Sequence, residues 1–164
     1  MASSTKSPQG LTEIPAFYRV FFTTVDPLLC LWAAYMDFFT PDVVLSSHIP
    51  FPSSDEGHRM LLAQRGGLLL CLGFLSAVLL RFAPDIRVWH ILEVGLLVSD
   101  FAYFWAAGGV LRAQGRLWPE AWRGEDWGSL GVTGLVTLVR LGFLARVGGF
   151  GEGEVVEEGE KKRN

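Results

Sequence analysis

Apolar residues gather into four long runs, from about Ala16 to Phe39, Leu61 to Phe82, Val88 to Leu111 and Trp127 to Val147. Each has the length a helix needs to cross a bilayer, about 17 to 25 residues. The breaks between them are built from residues that end helices. Thr40, Pro41 and Asp42 follow the first run, and Pro50, Pro52, Ser53, Ser54, Asp55 and Glu56 lead into the second. Ala83, Pro84 and Asp85 join the second run to the third, flanked by Arg81 and Arg87. So short a link makes those two helices antiparallel neighbours. Arg112, Arg116, Pro119, Glu120, Arg123, Glu125 and Asp126 separate the third run from the fourth. The pattern predicts an all-α fold, a transmembrane four-helix bundle over residues 15–147. A polar N-terminal tail (1–14) and a Gly- and Glu-rich tail (148–164), expected to be disordered, flank it.

The polar positions inside the runs are not scattered. The third run holds His90, Glu93 and Asp100, spaced three and then seven, so all three fall on one helix face. The first holds Arg19, Thr23, Asp26 and Cys30 at spacings of four, three and four. Pro27 follows Asp26 and is placed to kink that helix or free a carbonyl. The fourth holds Thr133, Thr137 and Arg140 at four and three. A charge at bilayer depth costs at least about 2.5 to 3.5 kcal/mol on insertion scales. Shared faces therefore imply that these groups turn inward, around a common polar seam. Arg140, with Arg19, is the cation available to Asp26, Glu93 and Asp100.

Composition agrees. Half the chain is apolar and only 19% is charged, against about 25% in soluble domains. Mean hydropathy is +0.32. Net charge is −3, with no basic footprint of the kind nucleic-acid binding leaves. Cys30 and Cys71 are too few and too far apart for a disulfide framework or a metal site. The first 15 residues lack the apolar core of a signal peptide, so the first helix is expected to direct insertion. The distribution of arginine and lysine favours cytoplasmic termini, and an endomembrane compartment is the expected location. Trp89, Trp118, Trp122 and Trp127 are expected at the membrane interfaces. Gly66, Gly67, Gly73, Gly128, Gly131 and Gly134 are expected to let helices approach closely.

The candidate chemistry is narrow. The chain has no nucleophile elbow, phosphate loop, HExxH or CxxC, so neither a metal nor another cofactor is expected. Carboxyls in an apolar site suit proton transfer, one held as acid and another kept ionised beside arginine. Glu93, Asp100, Asp26 and His90 are the candidate catalytic groups. Arg140, Arg19, Thr137 and Tyr103 are the candidate substrate-binding groups. The substrate would be lipophilic, of a terpenoid or sterol kind, and the reaction an isomerisation or cyclisation. The other readings are a non-catalytic scaffold or binding component and a proton- or ion-coupled carrier, which four spans would support only as an oligomer. The bilayer is the expected partner in every case.

Pro15, Ala16, Phe17, Tyr18 and Arg19, then Asp26, Pro27, Ala34 and Tyr35, resemble the opening of a family of small fungal integral membrane proteins without an assigned function. The resemblance spans about residues 15 to 147. It implies a fungal source and a four-helix membrane domain, and no activity. His90 and Glu93 are also similar in kind to the buried histidine and acidic residues of the emopamil-binding sterol isomerase superfamily. That family usually has five spans, where four are counted here, so the likeness is one of analogy.

Overall fold

A computed structural model describes residues 14–50, 52, 54–83 and 85–150. Among these the chain is all-helical. The first helix, α1, runs over residues 16–39, with a π-helical turn at Phe21–Val25 inside it. A short helix, α2 (Pro41–Ser46), follows. Then come three long helices: α3 (Glu56–Phe82, with a π-helical turn at Leu75–Leu79), α4 (Ile86–Ala113) and α5 (Gly124–Leu144). A single 3₁₀ turn at Pro119–Ala121 lies between α4 and α5.

Among the described residues, α3, α4 and α5 are the helices long and apolar enough to cross a membrane. The pattern predicted a fourth in residues 16–39. That segment is helical over its whole length, but Arg19, Asp26 and Asp37 lie within it, and it falls outside the set. The rest of the predicted N-terminal tail and residues 151–164 lie outside the described residues.

Local chemistry explains where the helices begin and end. Asp55 caps α3 by accepting the backbone N–H of His58 at 2.8 Å. That bond, made to the ionised form, holds the Asp55 carboxyl below its ordinary range. Asp85 caps α4 by accepting the N–H of Arg87 at 2.8 Å. α4 ends in a Schellman motif: Arg116 N–H reaches Leu111 O at 2.8 Å, and Gly115 N–H reaches Arg112 O at 3.1 Å. This requires Gly115 at φ +68°, a region that suits glycine. α5 ends the same way, through Val147 and Arg146 on Gly142 and Phe143. Pro27 has no N–H for the carbonyl of Thr23, four residues back, and Arg81 of α3 donates to that oxygen at 2.9 Å.

The main apolar core sits at the end of the molecule that carries the 83–85 turn. It joins Ile14, Tyr18, Phe21 and Phe22 to Leu80, Trp89, Val136, Phe143 and Phe150. Trp89 is therefore not interfacial as predicted. It is 1% exposed and donates its indole N–H to Ala83 O at 3.1 Å, tying down the turn. Ile14 and Phe150 extend the folded region past both predicted tail boundaries. The ring of Tyr18 lies tilted against Phe150, and its hydroxyl donates to Val147 O at 3.1 Å.

α1 and α3 pack most closely, and two glycines permit it. A Cβ on Gly73 would lie 3.0 Å from Cys30 Cβ, and one on Gly66 would lie 3.0 Å from the ring of Phe38. Gly67, Gly128 and Gly131 face open space instead. Gly73→Leu is expected to lower stability by about 1 to 3 kcal/mol through overpacking, whereas Gly67→Leu leaves it unchanged or raises it. Thermal unfolding in detergent, followed by circular dichroism, measures both.

Candidate functional site

The predicted seam is assembled around one side chain. Arg140, 3% exposed on α5, meets three carboxyls. Its Nη2 donates to both oxygens of Asp26 on α1, at 3.0 and 2.8 Å. Its Nε donates to Glu93 Oε2 on α4 at 3.2 Å. Its Nη1 donates to Asp100 Oδ2, also on α4. The planar guanidinium, with five N–H donors in a fixed fork, is the side chain able to serve several directions at once. Glu93 and Asp100 are seven residues apart, so both project from one face of α4. Thr137, one turn before Arg140 on α5, places its hydroxyl 3.1 Å from Asp100 Oδ2 and 2.8 Å from Thr133 O.

Five of the sequence-derived residues thus meet: Asp26, Glu93, Asp100, Thr137 and Arg140. Three do not. Arg19 is exposed; the π-helical turn at Phe21–Val25 lies between it and Asp26 and breaks the register that a regular helix would give. His90 shares α4 with Glu93 but points toward the near end of the helix. Its Nδ1 lies 3.1 Å from Ile86 O, and its ring stacks on Phe143 at 5.1 Å. Tyr103 lies beyond Asp100, edge-on to His48.

Burial and charge define what the cluster can do. Asp26 is 3% exposed and Glu93 fully buried, while the Asp100 side chain is 13% exposed. Three carboxyls surround one guanidinium. Glu93 Oε1 is buried and makes no hydrogen bond, and Ser76 Oγ on α3 is in the same condition. No group of three or more His, Cys, Asp or Glu side chains among the described residues is placed to hold a metal ion.

Two further aspartates form ion pairs that periodicity alone does not bring out. Asp37 on α1, 2% exposed, accepts Nε of Arg65 on α3 at 2.8 Å, with a second contact from the Nη2 group. Asp37 follows Asp26 by 11 residues, three helical turns, so the same stripe that marked Asp26 included it. At the start of α5, Asp126 accepts from Arg116, from the Arg123 side chain at 3.4 Å and from the Arg123 backbone N–H at 2.8 Å. Gln114 receives Arg116 and donates to His48 O at 3.3 Å. Here His48, Tyr103, Asp126 and Ser129 help line a small pocket with room for about one water molecule. Burial, and then Arg65, hold the imidazole of His48 below its ordinary range, so the ring is neutral at pH 7.

The chain belongs to the family described as a domain of unknown function, DUF7704, whose model matches residues 11–152. No curated protein and no solved structure shows significant similarity to it.

Removing the central cation leaves Asp26 and Glu93 buried without an ionic partner and Asp100 with the Thr137 hydroxyl alone. Arg140→Met is therefore expected to destabilise the fold by about 3 to 5 kcal/mol. Arg140→Lys keeps the charge but loses the fork, and falls between. Unfolding titrations in mixed detergent and dodecyl sulfate rank the three proteins. Equal stability of Arg140→Met and the native chain removes the cluster from the account of the fold.

Proposed function

We propose that the chain is a four-span integral membrane protein, and that it serves its membrane as a non-catalytic binding or scaffolding component. The observation that carries this reading is the single guanidinium of Arg140 holding acids from α1 and α4. Such inward spending of charge is what membrane helices do with polar groups: they turn them from lipid and hydrogen-bond them between helices. Outside, the helices present Leu28, Leu31, Trp32, Val98, Trp105, Leu135 and Leu138 as exposed apolar side chains. In water that surface would be an aggregation hazard. In hydrocarbon it is solvated.

The fourth span is α1. Its two acids, Asp26 and Asp37, are both buried against arginines, so they add nothing to the surface a lipid would meet. Its exposed positions are Ala16, Phe17, Val20, Val25, Leu28, Leu31, Trp32, Tyr35, Phe38 and Phe39, along with Arg19 and Thr24 in its first half. With α1 spanning, the N-terminus and the 83–85 turn share one side, and residues 40–55 and 114–123 share the other. Arginine and lysine counts favour the cytoplasm for the first side.

Two observations support a catalytic reading beside this one. Glu93 has an unused buried oxygen, and Asp100 is partly exposed. An acid and a base so placed would suit isomerisation or cyclisation of a lipophilic substrate that reaches Asp100. Asp100→Asn separates the two. A scaffold loses stability and has no turnover to lose; an enzyme keeps its fold and loses turnover on a terpenoid or sterol panel.

Span number is tested by placement. With the native cysteines replaced, a cysteine at Ser54 and an N-terminal tag are expected on opposite faces of sealed vesicles, read by impermeant maleimide and by antibody. Both on one face would remove α1 from the spans. Release of the chain by alkaline carbonate would remove the membrane reading altogether.

A further inference from the structure

We propose that the seam around Arg140 is a proton-binding site, and that Glu93 is the acid that holds the proton. The proposal deepens the binding reading above and rests on it, since it requires the cluster to sit in apolar surroundings.

The charge count is the first step. Asp26, Glu93 and Asp100 can bring three negative charges to one positive charge. Among the described residues, no second cation is in contact with them. Between Arg65 and Arg81, α3 carries no charged side chain at all; Cys71 is its one ionisable group there, and it is exposed. On α1, the nearest ionisable neighbour is Cys30, a half-buried thiol. On α4, His90 turns away onto Phe143. On α5, Arg140 is the charged group at this depth, Arg146 lying past the helix end. Uncompensated buried charge is relieved in proteins by protonation rather than tolerated.

Geometry selects the acid. Asp26 receives two contacts from Arg140, at 2.8 and 3.0 Å. Asp100 receives Arg140 and the Thr137 hydroxyl on the same oxygen. Glu93 receives one contact, the longest at 3.2 Å, and its Oε1 has none. Glu93 is fully buried, so no solvent-exposed surface serves its unpartnered Oε1. A carboxylate oxygen only accepts; a carboxylic acid also donates. Protonation of Glu93 at Oε1 removes one surplus buried charge and leaves the contact from Arg140 to Oε2 in place. A metal cation is the poorer occupant, because the guanidinium already lies among the three carboxyls and would repel it. The proton transfers from hydronium to carboxylate, releasing water, and Asp100, the partly exposed member, is the cluster's opening.

Infrared spectroscopy of the full chain in dodecyl maltoside, a detergent without carbonyl groups, tests this. At pH 7 the folded protein is expected to show the C=O stretch of a protonated carboxylic acid, above the amide I band. Glu93→Gln abolishes it. Labelling the native protein with ¹³C-glutamate shifts it to lower frequency, which assigns it even if the variant does not fold. Absence of the band from the folded native protein overturns the proposal, as does a band that ¹³C-glutamate leaves in place. A chain that instead stays soluble without detergent overturns the membrane reading on which the proposal rests.

Discussion

The structure depends on a charge that has to be buried. Placing Arg140 inside an apolar bundle carries a desolvation cost of several kcal/mol, and only a well-formed set of acceptors offsets it. Those acceptors come from two other helices, α1 and α4. The consequence is geometric. An apolar helix can slide or rotate against an apolar neighbour with little penalty, but α5 cannot turn without pulling Arg140 away from Asp26, Glu93 or Asp100. The cluster sets rotation and depth for three helices at once, where apolar packing alone would leave them loosely specified.

The other ionic contacts divide the remaining work. Asp37 and Arg65 fix α1 against α3 toward the end that bears the 40–55 connection. Asp126 gathers Arg116 and Arg123 and anchors the 114–123 connection to the start of α5. At the opposite end the aromatic core of Tyr18, Phe22, Trp89 and Phe143 closes the molecule without charge. Between α1 and α3 the fit is steric, set by the missing side chains of Gly66 and Gly73. At Gly66, close approach and electrostatic registration act together, since that glycine lies against Asp37 and Phe38 beside the Asp37–Arg65 pair; at Gly73 the fit to Cys30 is steric alone.

What could be read in advance follows from which forces are local. Spacing on a helix depends on one chain segment, so the common face of Glu93 and Asp100, and of Thr137 and Arg140, was visible in the sequence. So was the freed carbonyl before Pro27, although its partner Arg81 was not, since that contact spans 58 residues. Arg19 failed because a π-helical turn leaves no trace in a simple period. His90 failed because period fixes a face and not a rotamer; stacking on Phe143 decided its direction. Trp89 was assigned to an interface by residue type, and tertiary packing overruled that preference. Asp37 was legible and passed over: it lies on the stripe of Asp26. The pairing of Asp126 with Arg116 depends on how a loop closes, which no periodicity encodes.

Average hydropathy and surface hydropathy part company in such a chain. α1 is diluted by Asp26 and Asp37, and on composition it ranks below α3, α4 and α5. Yet both acids are buried, and the residues it exposes over most of its length are aromatic and aliphatic. A bilayer is in contact with the exposed residues, not with the mean. α5 carries an arginine in its last turns and is still apolar enough to span, because the residues around that one charge keep its mean hydropathy high. Each of these helices is polar toward its neighbours and apolar toward its surroundings, the reverse of a soluble amphipathic helix. That inversion costs stability unless the inward groups are matched in number and position. Here the positions are matched closely and the charges are not, so the imbalance at Glu93 is the feature that a purely structural account of the seam leaves without a purpose.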